Sequence, residues 1–280
     1  MKSINIFTID LPARRSFQWQ VLFALVILYF LGNLAGIPLL RKTGLPIEPV
    51  LVWGIATLIS AVIISLSMAM ANRVGLGVPF LEGRISNKDF LPYLRSGLAL
   101  TIFLLVIGFP LSLIANLNAD PATYPLGWEL LAASFKAGVV EEAGYRFFVV
   151  SLFVWIGRFF KHDDEGRPNR VVYWIAVLLA ALIFGWAHVD ARLGHPAATF
   201  CDYMLIMVLN SAVGFYLGWV FWKLGLEWAM IVHFAYDAFA SMILIPVYLL
   251  RSPITWAIFL SGIFLASMVA RRMLWRVRQS

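Results

Sequence analysis

The sequence predicts an all-α fold, a polytopic transmembrane helical bundle of about eight spans. Three observations carry that expectation. Hydrophobic residues make up 61% of the 280 positions and charged residues only 13%, roughly half the charge of an ordinary soluble domain at about 25%. Mean hydropathy is +0.84. The apolar residues fall in long blocks with no period-2 alternation, which argues for helices rather than a β-barrel.

A helix needs about 20 mostly apolar residues to cross the hydrocarbon core. Eight blocks qualify: 18–40, 48–72, 97–117, 128–157, 171–191, 202–223, 226–250 and 254–275. The first follows Arg14 and Arg15. It is too long for a signal-peptide core and lacks a small-x-small cleavage site, so it is expected to be retained. Between spans two and three, residues 73–96 mix apolar and charged positions and suggest a cytoplasmic surface helix. Residues 158–170 read as a solvated loop in which Asp163, Asp164 and Glu165 aid solubility. No repeat or composition shift divides the chain, so 1–280 is read as a single membrane domain with its motif-bearing core at 128–250.

The net charge of +7 does not indicate nucleic acid. With the N-terminus inside, 16 Lys and Arg residues fall in cytoplasmic segments, among them Arg14, Arg15, Arg158, Arg170 and Arg271. Only Arg41, Lys42, Arg192 and Arg251 fall outside. That asymmetry is the positive-inside pattern for eight spans with both termini cytoplasmic. An integral protein of a bacterial plasma membrane is expected, with the lipid bilayer as a partner. Cys201 is the only cysteine, so neither an intrachain disulfide nor a thiolate metal cage is expected.

Ionisable residues inside spans are costly, about 3 kcal/mol each on insertion scales, and are functional hypotheses by default. Three sets stand out: Glu141, Glu142 and Arg146 in the fourth span, His188 in the fifth, and His233 with Asp237 in the seventh. Glu142 and Arg146 are four apart with the acid first, the favourable order for an ion pair on one face. Glu141 lies about 100° around the helix from Glu142 and is not neutralised in the same way. His233 and Asp237 also share a face, and Phe184 stands one turn before His188. A buried carboxyl without a cation resists ionising and can accept a proton, which makes Glu141 the natural general base. Each set also has a structural reading: a helix-locking ion pair, an interhelical staple and an interfacial histidine. Tyr145 reads as packing.

Depth raises a tension. Counting about 1.5 Å per residue from the basic flanks, Glu141 and His188 agree at about 25–27 Å. His233 lies only about 15 Å from Lys223 by the same rise. A tilted helix or a non-helical start near Gly225 would reconcile them.

The order EEAGYR, FGWAH, HFAYD on three polar-bearing spans resembles the CPBP family, which comprises the CAAX prenyl endopeptidases and bacterial bacteriocin-processing and self-immunity proteases. The pattern Glu-Glu-x-x-x-Arg, Phe-x-x-x-His and His-x-x-x-Asn or Asp is matched by Glu141, Glu142 and Arg146, by Phe184 and His188, and by His233 and Asp237. The stretch GLGVPFLEGR also looks like the family's segment ahead of its core. The resemblance implies an intramembrane glutamic endopeptidase with no metal and no cofactor. It implies that Glu141 activates water with His188 assisting, while His233 and Asp237 stabilise the oxyanion. Its substrate would be a peptide or protein reaching the site from the membrane or its surface. Eukaryotic CAAX members have Asn where this chain has Asp237; an ionised Asp cannot donate a hydrogen bond, so Asp237 is either protonated or orients His233. Three rivals use the same residues: a zinc protease with His188, His233 and a glutamate as ligands, a proton-coupled transporter, and a non-catalytic immunity or scaffold protein.

Overall fold

The computed structural model describes residues 17–41, 49–115, 128–163, 166–190 and 199–240, with isolated positions at 261, 264 and 268. Among these residues there are seven helical rods and no strand. They are α1 (Trp19–Arg41), α2 (Pro49–Val74), α3 (Asn87–Ala115), α4, α5 (Arg170–Asp190), α6 (Phe200–Leu224) and α7 (Leu226–Phe239). Helix α4 is one rod in four stretches: Trp128–Lys136, Ala137–Glu141, Ala143–Val150 and Ser151–Gly157. Its two central stretches are widened into π-helical turns, and the residues joining the stretches stay in the right-handed helical region.

Five helices contain a stretch long and apolar enough to cross a membrane: Trp19–Ile37, Gly54–Val74, Asn87–Gly108, Arg170–Val189 and Phe200–Leu224. The protein is an integral membrane protein. Helix α4 occupies the fourth expected block and carries its charges. The described part of α7 is 14 residues long, and the expected eighth span lies almost wholly outside the described residues. The expected surface helix at 73–96 takes a different form. Helix α2 runs to Val74, residues 75–86 are turns, and α3 begins at Asn87 and continues directly into its span. The glycines explain the break, because Gly75, Gly77 and Gly83 all adopt positive φ, which ends a helix readily. Ser86 then caps α3, accepting from the Asp89 N–H at 3.3 Å while its hydroxyl donates to the Asp89 carboxylate at 2.6 Å.

Close helix contacts are made through small residues, as expected where lipid supplies no hydrophobic drive between helices. Gly214 and Gly218 on α6 receive Phe184 and Val177 of α5, and Gly185 of α5 meets Met207 and Ser211 in return. A Cβ on Gly138 would stand 2.9 Å from the Met230 carbonyl oxygen, so α4 and α7 touch nearly backbone to backbone. Helix α3 is tied to both partners by tyrosine hydroxyls. Tyr216 donates to the Leu100 carbonyl at 2.7 Å and Tyr236 to the Gly108 carbonyl at 3.2 Å.

The turn between α6 and α7 is a single residue, Gly225, at φ +93° and in contact with Pro79. The 75–86 segment covers it. Leu226 N–H donates to the Gly77 carbonyl at 3.0 Å, and the Glu227 carboxylate accepts from the Phe80 and Leu81 amides at 2.9 and 3.1 Å. Leu224 and Leu226 are buried beneath it. Helix α7 therefore starts inside the protein, not at the solvent flank. This removes the depth tension, because the basic flank at Lys223 does not mark where α7 begins. In the 158–170 loop, Asp163 accepts from the Arg167 amide at 2.7 Å. That bond, with the Arg167 guanidinium, holds its carboxyl below the usual carboxylate range.

Candidate active site

Helices α4, α5 and α7 bring the seven residues singled out in the sequence into one cluster, with the Phe184 ring against Arg146, His188 and His233. Glu142 is fully buried and Arg146 nearly so, with Arg146 Nη1 3.1 Å from Glu142 Oε1. The guanidinium also donates from Nη2 to the Gly214 carbonyl at 3.3 Å and lies over the Phe184 ring, 4.3 Å from its centroid. Desolvated cations gain from such a face, and a buried charge needs this degree of pairing.

Glu142 has a second partner, absent from the sequence reading. His233 Nδ1 lies 2.8 Å from Glu142 Oε1, and its Nε2 lies 3.4 Å from Asp237 Oδ2. An imidazole with both nitrogens facing carboxylate oxygens donates at both only as the imidazolium. With both carboxylates ionised, the two carboxylates, one guanidinium and one imidazolium form a neutral set, in which the partly exposed Asp237 balances the three buried groups. Glu142 Oε2 is left buried with no hydrogen-bond partner in the described structure.

Glu141 points elsewhere, as its offset from Glu142 requires. Its side chain and that of His188 are each 33% exposed, and His188 Nε2 lies 3.9 Å from Glu141 Oε2. His188 Nδ1 is 2.8 Å from the Phe184 carbonyl oxygen. That oxygen can only accept, so Nδ1 carries the proton and Nε2 turns towards the glutamate. The separation of 3.9 Å is too long for a direct hydrogen bond. Phe184 is 1% exposed and joins the two halves, with its ring centroid 4.4 Å from that of His188 and 6.0 Å from that of His233.

The site thus has a closed half and an open half. Glu142, Arg146 and His233 are sealed, whereas Glu141, His188 and Asp237 are about one-third exposed. Among the described residues no three His, Cys, Asp or Glu side chains stand together as a metal site would require.

Tyr145 was read as packing and does pack, edge-on to Phe184 with centroids 5.0 Å apart. It also borders the open half, one helical turn beyond Glu141. The Gly214 carbonyl carried no sequence signal at all, because a backbone acceptor has no residue-type signature.

Residues 123–239 match the family model described as type II CAAX prenyl endopeptidase Rce1-like. No curated protein and no solved structure matches the chain. The matched segment holds every residue of the cluster described above, and over it the chain is similar to the Rce1-like type II CAAX prenyl endopeptidases.

Proposed function

We propose that the chain is a metal-independent glutamic endopeptidase in which Glu141 activates water to hydrolyse a peptide bond. The supporting observation is the half-open pair of Glu141 and His188, 3.9 Å apart, set beside a sealed and charge-balanced network. Glu141 takes a proton from a water held between the two side chains, and the oxygen attacks the scissile carbonyl. The negative charge that develops on the carbonyl oxygen is offset through space by the positive His233, which stays buried with its nitrogens on Glu142 and Asp237. Collapse of the tetrahedral intermediate breaks the C–N bond, and Glu141 returns its proton to the leaving amine. His188 orients the water through Nε2, its ring fixed by Nδ1–H on the Phe184 carbonyl. A zinc role for His233 is disfavoured by its existing partners, since both its nitrogens face carboxylates.

The substrate in this reading is a membrane-associated peptide or protein, either prenylated near its C-terminus or bearing a leader, in a bacterial plasma membrane. Membranes from cells expressing the wild-type chain should contain cleavage products that are absent when Glu141→Gln is expressed at equal level. A farnesylated C-terminal peptide and its unmodified twin, offered to purified protein, would separate the two substrate classes. Cleavage by Glu141→Gln at the wild-type rate would overturn the proposal.

A further inference from the structure

We propose that Gly144 and Tyr145 form a subsite for the substrate backbone beside Glu141, with the peptide lying over Gly144 and the Tyr145 hydroxyl donating a hydrogen bond to a peptide carbonyl. The subsite presupposes the glutamic-endopeptidase reading above.

The first observation is a glycine without an internal reason. Glycine in a helix interior costs stability relative to alanine. Rod α4 contains three before its C-terminal residue or at it: Gly138, Gly144 and Gly157. Gly138 is required by the approach of α7 and Gly157 by Val172 of α5. Gly144 is different, because a Cβ there would meet nothing within 4 Å, and its φ is not positive. Among the described residues, neither packing nor backbone conformation calls for glycine at this position.

The second observation is where the open space lies. On one side Val140 is occupied by Gly32 of α1. On the other, Glu141 faces His188 and Tyr145 faces Phe184, both on α5. Gly144 lies between these two lines of attachment, one turn from the glutamate. A peptide backbone bound there would be in register to present a carbonyl to Glu141.

The third observation is the tyrosine hydroxyl. Its ring is fixed edge-on to Phe184, with the Arg146 guanidinium 6.0 Å from its centroid. The hydroxyl lies within electrostatic reach of both Glu141 and Arg146, and no hydrogen bond to it is formed within the described residues. Tyr145 is half-buried, like the other groups on the open side. A rigid donor next to the reacting carboxylate, with no hydrogen-bond partner among the described residues, suits a group supplied by substrate.

The test uses full-length protein and a synthetic peptide spanning a junction that wild-type membranes cut and Glu141→Gln membranes do not. Gly144→Ala should melt no lower than wild type, because alanine favours the helix, yet raise KM about tenfold. Gly144→Leu should lower kcat/KM by about 100-fold while the protein stays folded. Tyr145→Phe keeps the ring contact with Phe184, so its melting temperature should hold while kcat/KM falls about tenfold. Full activity of Gly144→Leu and Tyr145→Phe, with Glu141→Gln inactive in the same assay, overturns the subsite and leaves the catalytic reading intact. That outcome would assign the space to a lipid chain. Activity in Glu141→Gln, or no junction that depends on Glu141, would instead remove the catalytic reading and the subsite with it.

Discussion

His233 Nδ1 lies 2.8 Å from Glu142 Oε1, across 91 positions of sequence, so the second glutamate of the pair serves Arg146 on its own helix and an imidazole on another. The two adjacent glutamates therefore differ in kind. Glu142 is an interior counter-ion for two cations, and Glu141 is a partly exposed carboxylate facing a histidine across a gap.

Loss of Glu142 should be felt in stability first. Removing one member of a buried pair costs about 3–5 kcal/mol, and here the missing charge would leave Arg146 uncompensated and His233 with Asp237 alone. Glu142→Gln should lower the melting temperature sharply. Adding Arg146→Met should recover only part of that loss, because His233 still lacks its buried anion and keeps only the partly exposed Asp237. Full recovery in the double variant would mean that the Glu142–His233 contact contributes nothing.

Asp237 supports His233 from the exposed side, at 3.4 Å. Asparagine at this position keeps a polar oxygen towards Nε2 and can donate a hydrogen bond as well. Asp237→Asn should retain cleavage within about tenfold of wild type, whereas Asp237→Leu, which offers no polar atom, should lose about 100-fold or more. Cleavage rates normalised to folded protein check this. Equal activity in the two variants would remove Asp237 from the site.

The clasp over the α6–α7 turn sets where α7 begins. Glu227 accepts two amide bonds from the 75–86 segment, and a typical intramolecular hydrogen bond is worth about 0.5–1.5 kcal/mol net. Glu227→Ala should destabilise the protein by about 1–3 kcal/mol on that basis. It should also raise hydrogen exchange at Phe80 and Leu81, and unchanged exchange there would rule the clasp out.

Close approach of α5 and α6 depends on Gly185, whose added Cβ would collide with Ser211 and Met207. Overpacking of this kind costs about 1–3 kcal/mol. Gly185→Ala should lower the melting temperature and reduce cleavage, because His188 sits one turn further along the same helix. A stable, fully active Gly185→Ala would show that the two helices part at no cost.

Topology follows from charge and from one hydrogen bond. The Tyr173 hydroxyl donates to the Val74 carbonyl, which puts the 75–86 and 158–170 segments at the same end of the bundle. Reporter fusions after residues 85, 165 and 278 should report cytoplasm, and one after 121 the opposite side. An opposite report from 165 alone would contradict both the charge asymmetry and this contact.

The sequence by itself determined the class of the molecule and named the residues that cluster in its candidate site. Apolar block length fixed helices α1, α2, α5 and α6 to within a few residues, because crossing hydrocarbon demands a long run with every backbone bond satisfied internally. Local spacing was enough to pair Glu142 with Arg146 and to turn Glu141 away, since both relations lie within one helical turn. The form of 73–96 was harder to read. Its mixed composition suits a surface helix, while its positive-φ glycines favour the turns that form. Only the tertiary structure decided the rest. It assigned His233 to Glu142 as well as to Asp237, gave Arg146 the Gly214 carbonyl and the Phe184 ring, and sank the start of α7 beneath the 75–86 segment. Each of these is a contact between helices, set by glycine-mediated approach and by backbone acceptors that no residue type announces. Helical periodicity tells which side chains share a face, and packing decides which face meets which.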